Sequence, residues 1–163
     1  MPRYFTLEEA RRMLPFAGRS IREAVESRGR ADAAETWLRD LSQRILMSGG
    51  MAVDTAAVES WKAQYDSSSK TLKRSMDGLE EAGIQVKDLD VGLVDFPSLY
   101  RGAEVCICWR MDEDDIRYWH GMTEGFGGRK EIDDDFVRNH RGETLTGAGQ
   151  IYEMMSGGDP VRI

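Results

Sequence analysis

VCICWRMDEDDIRYWH, residues 105–120, is the stretch on which the reading of the chain turns. Val105, Ile107, Trp109 and Met111 alternate with Cys106, Cys108 and Arg110, and Glu104 extends the second set. Period-two alternation marks a strand with one buried face. Asp112–Asp115 reads as an acidic turn, and Ile116–His120 as the returning strand of an antiparallel hairpin. Register matters because a one-residue slip turns every side chain to the other face. An even turn pairs Met111 with Ile116, Trp109 with Tyr118, Ile107 with His120 and Cys108 with Trp119. It gathers the apolar residues on one side and puts Cys108 and His120 on opposite faces. An odd turn would unite those two but set Arg117 among the apolar residues. The even turn is therefore the expectation.

Upstream, Gly92–Phe96 reads as a short strand ended by Pro97, which makes a three-stranded antiparallel meander over about 92–120. Before it the period changes to that of helices. Thr6-Leu7-Glu8-Glu9 is a capping box, and Pro15 predicts a kink or break. Ala17, Ile21, Ala24 and Val25 form one stripe. Gly29-Arg30 predicts a turn before a second helix over about 32–47, with Trp37, Leu38, Leu41 and Ile45 inward. Asp54 is a cap for a third helix, whose stripe is Val58, Trp61, Tyr65, Leu72, Met76 and Leu79, ending near Gly83. The predicted class is α+β: a helical hairpin or three-helix bundle over about 6–83, then the meander. Residues 1–135 form one domain with a glycine-rich loop at 125–129, and 136–163 an irregular C-terminal extension with a helical turn near Tyr152.

The chain has 163 residues, enough for one self-sufficient core. Net charge is −7, of which the first 90 residues carry −1 and the remainder −6. That acidity disfavours nucleic-acid backbones and anionic membranes as partners. With two cysteines, no apolar leader at Met1-Pro2-Arg3 and no long apolar run, the expected compartment is the cytoplasm.

Several short stretches occur together: Tyr4-Phe5-Thr6 with Glu8-Glu9-Ala10, Lys87-Asp88, Gly92-Leu93-Val94-Asp95-Phe96-Pro97, Cys108-Trp109-Arg110, Trp119-His120, and Gly125-Phe126 with Gly128-Arg129. In that order they resemble an uncharacterised prokaryotic family, domain of unknown function 2203, over roughly residues 3–132. The resemblance implies a helical hairpin joined to a small sheet and implies no activity. Cys106 is not expected in the family's pattern.

Three functional readings arise. The leading one is a binding module, a homodimer through its helices, with a site for a small anionic ligand near the sheet and the 120–129 loop. Asp95, Arg110, Trp119, His120 and Arg129 are its candidate residues, because an arginine can grip a carboxylate or phosphate through two parallel bonds. The second is an enzyme with His120 as general acid or base and Asp95 or Glu124 as partner. The third is a metal site of Cys108, His120 and a carboxylate, Asp95 or Glu124, the donor types zinc takes. The even register counts against it, so no metal is favoured. Cys106 and Cys108 read as small core residues, an Asp95–Arg110 pair as a cross-strand ion pair, and His140 as surface. Gly125–Arg129 lacks the spacing of a P-loop or dinucleotide fingerprint, so no nucleotide cofactor is expected.

Overall fold

A computed structural model describes residues 3–142. The elements in order are α1 (Leu7–Ser48), α2 (Thr55–Glu81), β1 (Gln85–Asp88), β2 (Leu93–Tyr100), β3 (Ala103–Arg110), β4 (Tyr118–Gly121), a 3-10 turn at Phe126–Gly128, β5 (Lys130–Glu131), α3 (Asp134–Asn139) and β6 (His140–Arg141). The α+β class holds, with two helices in the hairpin where three were expected and, among the described residues, six strands where three were.

Thr6 caps α1, its hydroxyl accepting from the Glu9 amide at 3.1 Å, and Asp54 caps α2 in the same way through Ala57 at 3.1 Å. Neither Pro15 nor Gly29 interrupts α1. Pro15 faces solvent, so the carbonyl it leaves without a helical donor can be hydrated, and packing on both sides holds the helix together. Gly29 costs about 1 kcal/mol relative to alanine, which the tertiary contacts of so long a helix override. Gly49, at φ 70°, ends it.

The two helices run antiparallel. Glu23 meets Ser75, Arg30 meets Gln64, and Trp37 stacks on Trp61 at 5.5 Å, so residues ascending α1 touch residues descending α2. Buried positions of α1 are mostly small, Ala17, Gly18, Ala24, Ser27, Ala31 and Ala34 among them, which lets other elements approach its backbone. Past Ala34 in α1, and before Ser68 in α2, no side chain is fully buried. That distal half carries exposed Leu46 and Met47.

The sheet is antiparallel, in the order β1-β2-β3-β4-β5. β6 shares an edge of β2 with β1: β1 pairs with its first half and β6 with Leu99 and Tyr100. Pro97 does not end β2 as expected. It sits in the gap between those two partners, where its missing N–H leaves no ladder bond unmade and its carbonyl takes the Phe5 amide at 2.7 Å. Arg101 and Gly102, with φ 52° and 81°, turn β2 into β3. One face of the sheet, with Val94, Phe96, Ile107 and Trp109, joins Ile21, Leu79 and Ile84 in the core.

Residues 134–141, in a stretch of weak pattern, clamp the fold. Phe136 is fully buried and stacks within 5.1 Å of both Tyr100 and Trp119. His140 is not a plain surface residue. Its Nδ1 lies 2.8 Å from the Phe136 carbonyl and so carries the proton, while Nε2 accepts from the Leu7 amide at 2.9 Å. It thereby satisfies one of the open donors at the start of α1. Gly142 lies against the N-terminal segment so closely that a Cβ there would come within 2.6 Å of the Thr6 nitrogen. We expect His140→Ala to destabilise the protein by about 1–2 kcal/mol in urea melts, the usual cost of an orphaned helix-start donor. An unchanged midpoint would contradict this role. The remainder of the expected extension, with Tyr152, lies outside the described residues.

Candidate functional site

The face of the sheet turned away from the core carries the polar chemistry. β2 and β3 pair Asp95 with Cys108 and Pro97 with Cys106. β3 and β4 pair Cys106 with His120, Cys108 with Tyr118 and Ile107 with Trp119. This is the odd register, one residue away from the expected one, and it moves His120 onto the cysteine face. The reason lies outside the hairpin. The odd register sends Trp119 to the apolar face, where Phe136 of α3 and Tyr100 receive it. Its apparent cost does not arise, since Arg117 precedes the start of β4, is well exposed and pairs with Asp114 at 2.8 Å. Trp109 further fixes the turn by donating from Nε1 to the Glu113 carbonyl at 3.1 Å.

Asp95 and Cys108 are 0% exposed, Cys106 2% and His120 4%. His120 Nε2 lies 3.1 Å from both Asp95 oxygens. Its Nδ1 lies 2.8 Å from the Gly121 carbonyl, which can only accept, so Nδ1 carries a proton. Nε2 therefore either holds a second proton against the carboxylate or turns a lone pair toward it. The second arrangement is repulsive unless a cation lies between them. Cys106 completes the group: one donor atom from each of Asp95, Cys106 and His120 lies within 4.8 Å of the others. Among the described residues this is the one such group of three.

The two thiols are held in the protonated form. Burial pushes each up to about 12, and the neighbouring Asp95 charge adds to it. A thiol so raised is a poor nucleophile at neutral pH. His120, with both ring nitrogens engaged inside the protein, presents none to a substrate.

The other candidates are placed elsewhere. Arg110 pairs with Asp112 at 2.5 Å, not with Asp95. Arg129 pairs with Glu113 at 2.7 Å and lies 4.2 Å over the ring of Tyr118, the residue paired with Cys108. Trp119 is on the opposite face. Glu124 caps the Gly121 amide at 2.8 Å and binds Lys130, which with that amide keeps its carboxyl below the ordinary range; it is not among the clustered donors. Cys106, read from sequence as a core residue, belongs to the cluster, and Met122 touches it with Sδ 3.6 Å from Cys106 Sγ. Parity along β3 places both cysteines on one face, but only the register adds His120.

No helix of the described residues is long and apolar enough to cross a membrane. A family model described as an uncharacterized conserved protein matches residues 3–132. No curated protein matches the chain. No solved structure matches it either.

Proposed function

The chain belongs to the DUF2203 family, whose description carries no activity, and we propose that its buried cluster binds one divalent transition-metal ion of the zinc class through Asp95, Cys106 and His120. The observation that carries this reading is the His120 ring. With Nδ1 committed to Gly121, its Nε2 faces both oxygens of a fully buried carboxylate.

Three arguments support it. A carboxylate, a thiolate and an imidazole are donors zinc takes together. Their charges balance: Asp95 and an ionised Cys106 carry −2 between them, His120 is neutral, and a divalent cation brings the buried group to zero. The Gly121 carbonyl supplies the outer hydrogen bond that holds a metal-binding histidine in one tautomer. Zinc bonds of roughly 2.0–2.3 Å require the three donor atoms to draw together by about 1 Å at the widest, within reach of side-chain adjustment. A fourth position remains for water or for Cys108, which pairs with Asp95 across the strands.

The test is elemental analysis of the chain purified without an affinity tag or chelator. We expect close to one equivalent of a transition metal. A metal-free protein that also fails to take up zinc on dialysis would favour the alternative, a buried imidazolium–carboxylate pair whose role is structural.

A further inference from the structure

A cavity of about 630 Å³ opens beside the cluster, walled by the N-terminal segment, the end of α2, β1 and the neighbouring sheet. It abuts the cluster without including it. Among its lining residues Gln85 pairs with Asp95, Pro97 pairs with Cys106, and Met122 touches Cys106.

The lining carries both signs of charge. Arg3 and Lys87 supply two cations, Glu80 and Glu104 two anions. Arg3 is already positioned: its guanidinium lies 4.4 Å over the Phe5 ring and Nη1 donates to the Ala82 carbonyl at 3.3 Å. Its Nε–H is buried with no acceptor among the described residues. A buried donor left without a partner is unfavourable, and a ligand acceptor that draws the Arg3 side chain toward the cavity would satisfy it. Glu104 takes the Tyr4 hydroxyl. Met76, Ile84, Val86, Val105 and Met122 form the apolar part of the wall, and Gln85 adds an uncharged polar side chain.

A simple anion would meet two carboxylates here, and a simple cation two bases. A zwitterion meets both signs favourably, and an apolar wall selects its side chain. Cavities of this size take small organic ligands and fix them by a few polar groups. We propose that the cavity binds an α-amino acid with a large apolar side chain. Arg3 and Lys87 receive its carboxylate, Glu80 and Glu104 its ammonium, and the Met76–Met122 wall its side chain. The inference goes beyond the metal reading and does not rest on it.

The experiment is calorimetric titration of the unmutated chain, with and without added zinc. Leucine, methionine and phenylalanine are compared with 4-methylpentanoate, which lacks leucine's amine, and isoamylamine, which lacks its carboxylate. We expect at least one of the three amino acids to bind, whether or not zinc is present, and each truncated analogue to bind leucine's site at least about tenfold more weakly, the loss of one charge-assisted contact. Arg3→Gln and Glu80→Gln each weaken the amino acid by a similar factor. Equal binding of leucine and 4-methylpentanoate would overturn the proposal in favour of a plain anion site. Failure of all three amino acids to bind at millimolar concentration would overturn it outright. Neither outcome touches the metal content that tests the cluster.

Discussion

Asp95→Ala is expected to lower zinc affinity by at least about a hundredfold, measured by competition with a chromophoric chelator, because it removes a charged ligand and the balance of charge in a buried site. The same substitution should destabilise the metal-free protein. It leaves His120, 4% exposed, without the carboxylate that faces its Nε2 at 3.1 Å. Breaking a buried charged pair from one side costs about 3–5 kcal/mol. In a chain of this size that lowers the melting temperature by roughly 10 °C. Cys106→Ser is expected to lose metal affinity as strongly with a smaller loss of stability, since its thiol is no partner in that pair. Affinity unchanged in both variants would remove the cluster from consideration as a metal site, whatever happened to stability.

Metal affinity should rise about tenfold for each pH unit through the neutral range, from the Cys106 proton alone. Burial and the Asp95 charge hold that thiol up to about 12 in the metal-free protein. Binding must therefore expel its proton at every pH below that, and each expelled proton contributes one power of ten per unit. Calorimetry in buffers of differing ionisation heat would count the protons released; a count near zero would mean that no thiol is ligated. The same raised values set the alkaline limit of the metal-free fold. An unfolded cysteine ionises near 9.0, while the folded thiols of Cys106 and Cys108 ionise near 12. Between those values the folded state holds more protons than the unfolded state, so stability falls as pH rises. The contribution of each thiol is complete below pH 9 and is lost toward pH 12, at up to about 1.4 kcal/mol per pH unit. Urea melts from pH 8 to 11 should show this decline, and Cys106→Ser with Cys108→Ser should flatten it.

The sequence made the helices legible where their ends carry chemistry. Thr6 and Asp54 announce the two starts, and both side chains cap as expected. Pro15 and Gly29 argued locally for breaks, and local argument failed because packing along α1 outweighs one lost hydrogen bond and one glycine. The alternation of residues 105–111 placed Ile107 and Trp109 in the core and the cysteines on the other face. Register could not be read from the hairpin alone. Trp119 is drawn to the apolar face by Phe136, from a six-residue helix that runs into the stretch read from sequence as an irregular extension. Pro97 hid the second half of β2 for a related reason. Its tolerance depends on a gap in the neighbouring strands, one that only the assembled sheet creates. The proposed metal site thus contains two residues weighed together from sequence, Asp95 and His120, and one set aside as core, Cys106.

X-ray absorption at the zinc edge of the chain loaded with one equivalent tests the ligand set most directly. One sulfur scatterer near 2.3 Å, from Cys106, is expected, with the remaining ligands nitrogen or oxygen, or two sulfurs if Cys108 takes the fourth position. A shell of nitrogen and oxygen alone would show that the ion sits elsewhere, and would contradict the assignment of Asp95, Cys106 and His120.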